Sequence, residues 1–207
     1  MSEKPSTKSQ ILEAAISLLK EGGESAVKVG RIAKELSISA PSIYYHFTDR
    51  SELVRAAYVE WYWQSLRIDG PTPELATFSE TQEQYEATLR TSLKWSYQVS
   101  RQEARSVRIA VLGAAQSDPL LASEINSVNR NFLNGVAKSV IFGQEKGWVR
   151  DDLDPLAVSY WLHGQIIGRV VAEMDADVVN FEHWDKISVD AILGLIRKKN
   201  TPVTPKR

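Results

Sequence analysis

The chain holds three histidines, His46, His163 and His183, and none has a second histidine at the spacing a metal site requires. Ser159 and His163 stand four residues apart, but no acidic partner or strained nucleophile turn accompanies them. The carboxylates at Asp151, Asp152 and Asp154, and at Asp175 and Asp177, read as solvated helix ends and loops. Cysteine is absent, which removes thiolate metal sites, a thiol nucleophile, an iron–sulfur cluster and a disulfide scaffold. These residues offer no enzymatic constellation, no metal site and no cofactor motif.

A different chemistry gathers between Lys28 and Arg50. Ser39, Ala40, Ser42, Tyr44, Tyr45 and His46 would share the outer face of one short helix. Hydroxyl and imidazole groups suit phosphate contacts, and small residues allow close approach to base edges. Lys28, Arg31, Lys34 and Arg50 supply positive charge around that face. The totals conceal it: 25 Lys and Arg oppose 26 Asp and Glu over 207 residues, and residues 1–55 hold eight against seven. Neither half is a basic domain, so nucleic acid would have to be met by a small patch.

Helical periodicity dominates the elements that must hold this patch, and no convincing alternating strand appears. Ser6 or Thr7 caps a first helix with the stripe Leu12, Ala15, Ile16 and Leu19, closed by Gly22-Gly23. Val29, Ile32, Ala33 and Leu36 define a second helix. A turn at Ser37-Ile38 follows, and Ser39 caps a third helix with Pro41 in its first turn and Ile43 and Phe47 inward. A longer helix runs from about Ser51 toward Arg67. After the break Asp69-Gly-Pro-Thr-Pro73, helices are predicted near Gln82–Val99 and Gln102–Gln116. Others run from Pro119 to Lys146, stopped by Gly147, from Pro155 to about Glu173, and from about Glu182 to Lys199. The expected fold is all-α. Residues 1–52 form a helix-turn-helix domain, 53–200 a larger helical domain, and 201–207 a disordered tail.

With 43% hydrophobic residues the chain can bury a core. Its first ten residues lack the apolar run of a secretory signal, and the longest uncharged apolar stretch, Pro155 to Gly168, is short of a membrane span. A soluble, cytoplasmic protein without a membrane segment is expected.

The run KVGRIAKELSISAPSIYYHFTDRSELVRAAY resembles the DNA-binding signature of the TetR family of transcriptional regulators. The resemblance spans about residues 7–58. It rests on Ile32-Ala33, on Ser39 through Ile43-Tyr44-Tyr45-His46-Phe47, and on Arg50, Glu52 and Leu53. It implies that Lys28, Arg31, Ser39, Ala40, Pro41, Ser42, Tyr44, Tyr45, His46 and Arg50 meet double-stranded DNA. Tyr44, His46 and Arg50 would take phosphates, while Ala40, Ser42 and Tyr45 would lie nearest bases or sugars. Ile43 and Phe47 would be core. The chain departs from the family pattern at four positions. Lys28 stands where Ser or Thr usually caps the second helix, and Gly30 costs about 1 kcal/mol against Ala within it. Arg31 replaces a common acid, and Ser37 replaces a turn Gly, so Ser37 would need a left-handed backbone.

The resemblance further implies a homodimer that represses from a palindromic operator and is released by a small hydrophobic or aromatic effector. By residues alone the helix after Asp154 and the last helix could be either core or subunit interface. The resemblance favours the interface, with Tyr160, Gly164, Ile167, Gly168, Val171, Trp184, Ile187, Ala191 and Leu195. Trp61, Trp63, Trp95, Phe132 and Trp161 could likewise be core aromatics or the wall of an effector cavity. Gln98, Asn129, Gln165 and His163 are the polar groups that could orient a ligand there. The helix carrying Trp61 is the expected lever. An adaptor or activator of the same fold, without a small-molecule effector, remains open.

Overall fold

A computed structural model describes residues 5–67 and 70–198, and the expected tail 201–207 lies outside them. The described residues are all-α: α1 Thr7–Gly22, α2 Val29–Glu35, α3 Ala40–Tyr44, α4 Arg50–Leu66, α5 Gln82–Ser96, α6 Gln102–Ala115, α7 Pro119–Glu145, α8 Pro155–Glu173 and α9 Phe181–Ile196. Three short 3-10 segments, Glu24–Ala26, Pro73–Phe78 and Val99–Arg101, were not legible in the helical periodicity. The same holds for a single antiparallel bridge between Val149 and Arg197.

The chain packs as two compact units. One comprises the residues up to Ser65 together with Ala110–Val128; the other comprises Leu66–Ile109 and the residues from Asn129 onward. All of α4 as far as Ser65 groups with the helices before it.

In the first unit, Ser6 caps α1 by accepting from the Ser9 N–H at 3.1 Å, and Gly23 ends it at φ 66°. Its inward stripe is Ile11, Ala14, Ala15, Ile16, Leu18 and Leu19. The predicted Leu12 is only half-buried, because the stripe is rotated toward the Ile11–Leu18 line. Ile32, Ile43 and Leu53 are wholly buried and Phe47 nearly so, which joins α2, α3 and α4 over one apolar core. A capping box starts α4: the Glu52 N–H donates to Asp49 at 2.7 Å, and the Thr48 N–H donates to the Glu52 carboxylate at 2.6 Å. The bonds from Thr48 hold the Glu52 carboxyl below its usual pKa.

The second unit has its own core, in which α5 supplies Tyr85, Leu89 and Leu93, and α9 supplies Val189, Ile192, Leu193 and Ile196. Tyr85 is buried and its hydroxyl donates to the Ser139 carbonyl at 2.9 Å; burial pushes its pKa up. Gly143 permits this approach, since a methyl there would come within 2.7 Å of that hydroxyl. After α7, Gly147 takes φ 73°, as expected of the residue that stops the helix. Gln144 then donates to the carbonyls of Arg150 and Leu153, both at 2.8 Å, and fixes the loop into α8. Asp154 caps α8 through the Ala157 N–H at 2.6 Å. No described helix is long and apolar enough to cross a membrane.

Candidate nucleic-acid interface and ligand cavity

The turn between α2 and α3 is made by Ser37 at φ 54°, the left-handed conformation expected from a residue standing in for glycine. Lys28 occupies the α2 cap without a side-chain bond, also as expected. Ser39 caps α3: its oxygen accepts from the Ser42 N–H at 3.3 Å, and the two hydroxyls lie 2.8 Å apart. The turn and cap fix α3 so that Ile43 and Phe47 point inward. Tyr44 and Tyr45 are left outside at 48% and 86% exposure. An exposure of 86% for a tyrosine at a helix end has no packing rationale within the protomer. The Tyr45 ring meets His46 edge-on at 5.1 Å, and His46 is half-buried. Ala40 and Ser42 are half-buried, while Lys28, Ser39 and Pro41 are exposed.

Two of the arginines expected to meet DNA make bonds within the unit. Arg31 is paired with Glu21 through two bonds, of 2.6 and 3.2 Å, which raises its pKa and offsets part of the local charge. Arg50 turns back into the domain. Its Nε donates to the Val27 carbonyl at 2.7 Å and its Nη2 to the Glu24 carbonyl, bracing α4 on the 3-10 segment before α2. That segment is not visible in the periodicity, so this role could not be read from sequence. Lys8 was also missed. Its ammonium sits 5.6 Å from the Phe47 ring centroid, and a lysine in the first turn of α1 was the available signal. The outward tyrosines, hydroxyls, His46 and lysines form a surface that can meet a sugar–phosphate backbone and groove edges.

Within the second unit an apolar cavity of about 50 Å³ lies among α5, α7 and α8. Its walls include Leu93, Phe132, Leu133, Val136, Leu162 and Ile166, with Ser92, Ser96, Ser159 and His163 among them. A second chamber of about 30 Å³ shares Ser96, Phe132, His163 and Ile166 and adds Trp95, Arg101, Arg105 and Arg108. His163 is buried, and burial together with the charge of Arg108 pushes its pKa down to about 3, so it is neutral at pH 7. The Arg101 guanidinium lies 4.6 Å from the Trp95 ring centroid. Arg105 donates to Glu173 through Nε at 3.0 Å and to the Ser96 carbonyl at 2.6 Å. Glu173 also receives Arg169, whose Nε donates to Asp185 at 2.7 Å.

Of the residues expected to hold a ligand, Phe132, Trp95 and His163 line these chambers. The other anticipated ligand residues do not. Gln98 is exposed and faces an open groove along α5 and α9, beside Arg90, Lys94 and Asp190. Trp161 is 39% exposed, on the outer side of α8. Gln165 is half-buried and Asn129 buried, and neither lines the two chambers. Trp61 and Trp63 belong to the first unit, where Trp61 stacks on Tyr58 and lies 5.8 Å from the Lys20 ammonium, and Trp63 is exposed. The sequence reading overlooked Arg105 and Arg108. They fall on the same α6 face as the buried Val111 and Ala115, and charge on an apolar stripe was the signal.

A short helix pair with an exposed outer face, joined in one chain to a larger helical unit with its own cavities, is a helix-turn-helix arrangement. Residues 11–57 match the family model described as bacterial regulatory proteins, tetR family. The Fatty acid metabolism regulator protein of Bacillus subtilis (strain 168) is 22% identical over 189 residues, covering 90% of this chain and 92% of that protein. Among solved structures, the fatty acid degradation regulator FadR from Bacillus halodurans superposes with a TM-score of 0.65 at 20% identity, covering 96% of this chain and all of that one. SmeT, the repressor of the Stenotrophomonas maltophilia multidrug efflux pump SmeDEF, gives a TM-score of 0.62 at 17% identity, covering 98% and 96%. The match to that family is carried by the N-terminal helices, residues 11–57.

Proposed function

We propose that the chain is a homodimeric repressor that binds a palindromic operator and is released by a small hydrophobic effector held in the second unit. The observation that carries the DNA-binding part is the outward Tyr44-Tyr45 pair on a helix whose inward residues are wholly buried. Lys28, Ser39, Ala40, Pro41, Ser42, Tyr44, Tyr45 and His46 would make the contacts. Arg31 would act from its pair with Glu21, and Arg50 would act chiefly by bracing the domain.

Support for the dimer comes from α8 and α9. Tyr160, Val171, Ile187 and Leu195 are exposed, with Val171 at 73%, and Gly164, Gly168 and Ala191 lie exposed beside them, with Ile167 half-buried. A methyl added at Gly164, Gly168 or Gly194 would meet nothing within 4 Å. Each helical glycine costs about 1 kcal/mol against alanine, and no packing inside the protomer accounts for them. A second copy pressed closely against these helices would. Trp184 is half-buried and packs edge-on against Tyr97 at 5.2 Å, beside the core of the second unit. The effector part is supported by the apolar cavity and by relatives named for fatty acid metabolism and for efflux repression. An effector that prefers a conformer with the wrong half-site spacing, away from about 34–36 Å, must weaken operator binding.

The test is selection of random duplex DNA by the purified protein at near-physiological salt with non-specific competitor. A two-fold symmetric sequence is expected. No enrichment, even after unfolding, ligand removal and refolding, would overturn the reading. Sedimentation of Gly168→Leu at low concentration checks the dimer: the variant should be monomeric.

A further inference from the structure

We propose that Glu21 is an internal stand-in for a DNA phosphate. Its carboxylate holds the Arg31 guanidinium in the free protein and yields it to the sugar–phosphate backbone on binding. Glu21 thereby lowers both the affinity for duplex DNA and the dependence of that affinity on salt. The inference rests on the reading that α2 and α3 meet DNA, and it adds to that reading a residue outside the contact surface.

Lys28, Arg31 and Lys34 recur at every third residue along α2 and its cap and are all exposed, while Ile32 and Ala33 are buried. Glu21 comes to this stripe from α1. Its two oxygens accept from the two terminal nitrogens of Arg31, with Nη2 donating to Oε2 at 2.6 Å and Nη1 to Oε1 at 3.2 Å. A phosphodiester likewise presents two oxygens on one centre, and a guanidinium fork binds carboxylate and phosphate in the same bidentate way. Both side chains stay open to solvent, 51% for Arg31 and 58% for Glu21. A phosphate can therefore reach the guanidinium, and the displaced carboxylate can return to water.

The pair does little for the fold. Glu21 lies in the last turn of α1, where the helix dipole disfavours an acid, and Arg31 lies in the first turn of α2, where it disfavours a cation. The connection between these helices is already tied by Arg50, which donates to the Val27 and Glu24 carbonyls. An ion pair this exposed adds little to stability in any case. What the pair changes is charge. Residues 1–55 hold eight Lys and Arg against seven Asp and Glu, so neutralising one guanidinium matters to a surface whose attraction for DNA comes from a few cations. An unpaired arginine that meets a phosphate releases about one counterion from the duplex. Arg31 releases that counterion too, but the Glu21 it leaves behind takes up a cation, and the two cancel. Glu35, on α2 itself, attracts Arg31 through space and so provides a control for charge alone.

The full chain and its variants Glu21→Gln, Arg31→Gln, Glu35→Gln and the double variant at 21 and 31 are titrated over a series of salt concentrations. The probes are the selected operator and a scrambled duplex of equal length. All the substituted sites are exposed, so the variants should keep the wild-type fold, checked by circular dichroism. Glu21→Gln should bind both duplexes about two- to fivefold more tightly. It should also steepen the plot of log affinity against log salt by about one unit. Arg31→Gln should leave that slope near the wild-type value, and Glu21→Gln added to it should gain nothing. Glu35→Gln removes the same charge without breaking the bond and should leave the slope where it is. A gain from Glu21→Gln that persists beside Arg31→Gln, or that Glu35→Gln matches, would show that Glu21 merely repels DNA and would overturn the proposal. So would an unchanged slope in Glu21→Gln, although the DNA-binding reading would then stand. If selection yields no operator and neither duplex binds, the DNA-binding reading falls and this proposal with it.

Discussion

The first unit and the second bury different kinds of side chain. Among the described residues of the first, Ser65 and the tyrosines Tyr58 and Tyr62 are the buried residues with polar groups, and no charged residue is buried; in the second, Arg105, Arg108, Arg169, Glu173, Asn129 and His163 are all inside. An apolar core under an exposed polar face is what a rigid reading head needs, because every contact with a groove is made at the surface. Buried charge is a poor way to gain stability, since desolvation consumes much of the Coulombic attraction.

That contrast can be broken by substitution. The largest effect is expected for Glu173→Ala, which strands Arg105 and part of Arg169. It should cost about 3–5 kcal/mol in chemical denaturation, with a correspondingly lower Tm. A loss below about 1 kcal/mol would show that the network is not a coupled buried ion cluster. In the first unit, Arg50→Ala removes two bonds from a guanidinium to carbonyls and should cost about 2 kcal/mol. If Arg50 were instead a phosphate ligand, stability would hold and the salt slope of DNA binding would fall by about one unit.

A pH series sharpens the comparison. His163 binds its proton more weakly in the folded chain, at about 3 against an ordinary 6.5. The unfolded state therefore takes up that proton first as pH falls, and stability declines below 6.5 by about 1.4 kcal/mol per pH unit toward the folded value. His163→Phe should flatten that slope; an unchanged slope would remove His163 as its source. The smallest effect is expected at the turn. Ser37→Gly relieves a left-handed backbone and should stabilise the first unit by about 1 kcal/mol, measured as a rise in denaturation midpoint.

Much of the first unit was legible because its determinants are local. Caps at Ser6 and Ser39, the breaks at Gly23 and Ser37, and the inward Ile43 and Phe47 each follow from neighbouring residues. Helix boundaries were legible for the same reason at Asp118-Pro119 in the first unit and at Gly147 and Asp154-Pro155 in the second. The walls of the chambers were not. Phe132, Trp95 and His163 were named with Trp61, Trp161, Gln98, Asn129 and Gln165 because aromatic and polar side chains are chemically plausible anywhere on a helix. Which of them face inward depends on the rotation and crossing of helices far apart in sequence.

The sequence by itself determined an all-α chain, a helix-turn-helix with outward tyrosines, and the strain at Ser37, because capping, turn and periodicity act over a few residues. Only the tertiary structure decided that Arg50 braces the domain, that Trp184 packs on Tyr97, and that Arg105 and Arg108 line a chamber beside His163. Those roles are fixed by carbonyls, carboxylates and rings brought from distant segments, and no local pattern encodes which partner a long side chain will reach.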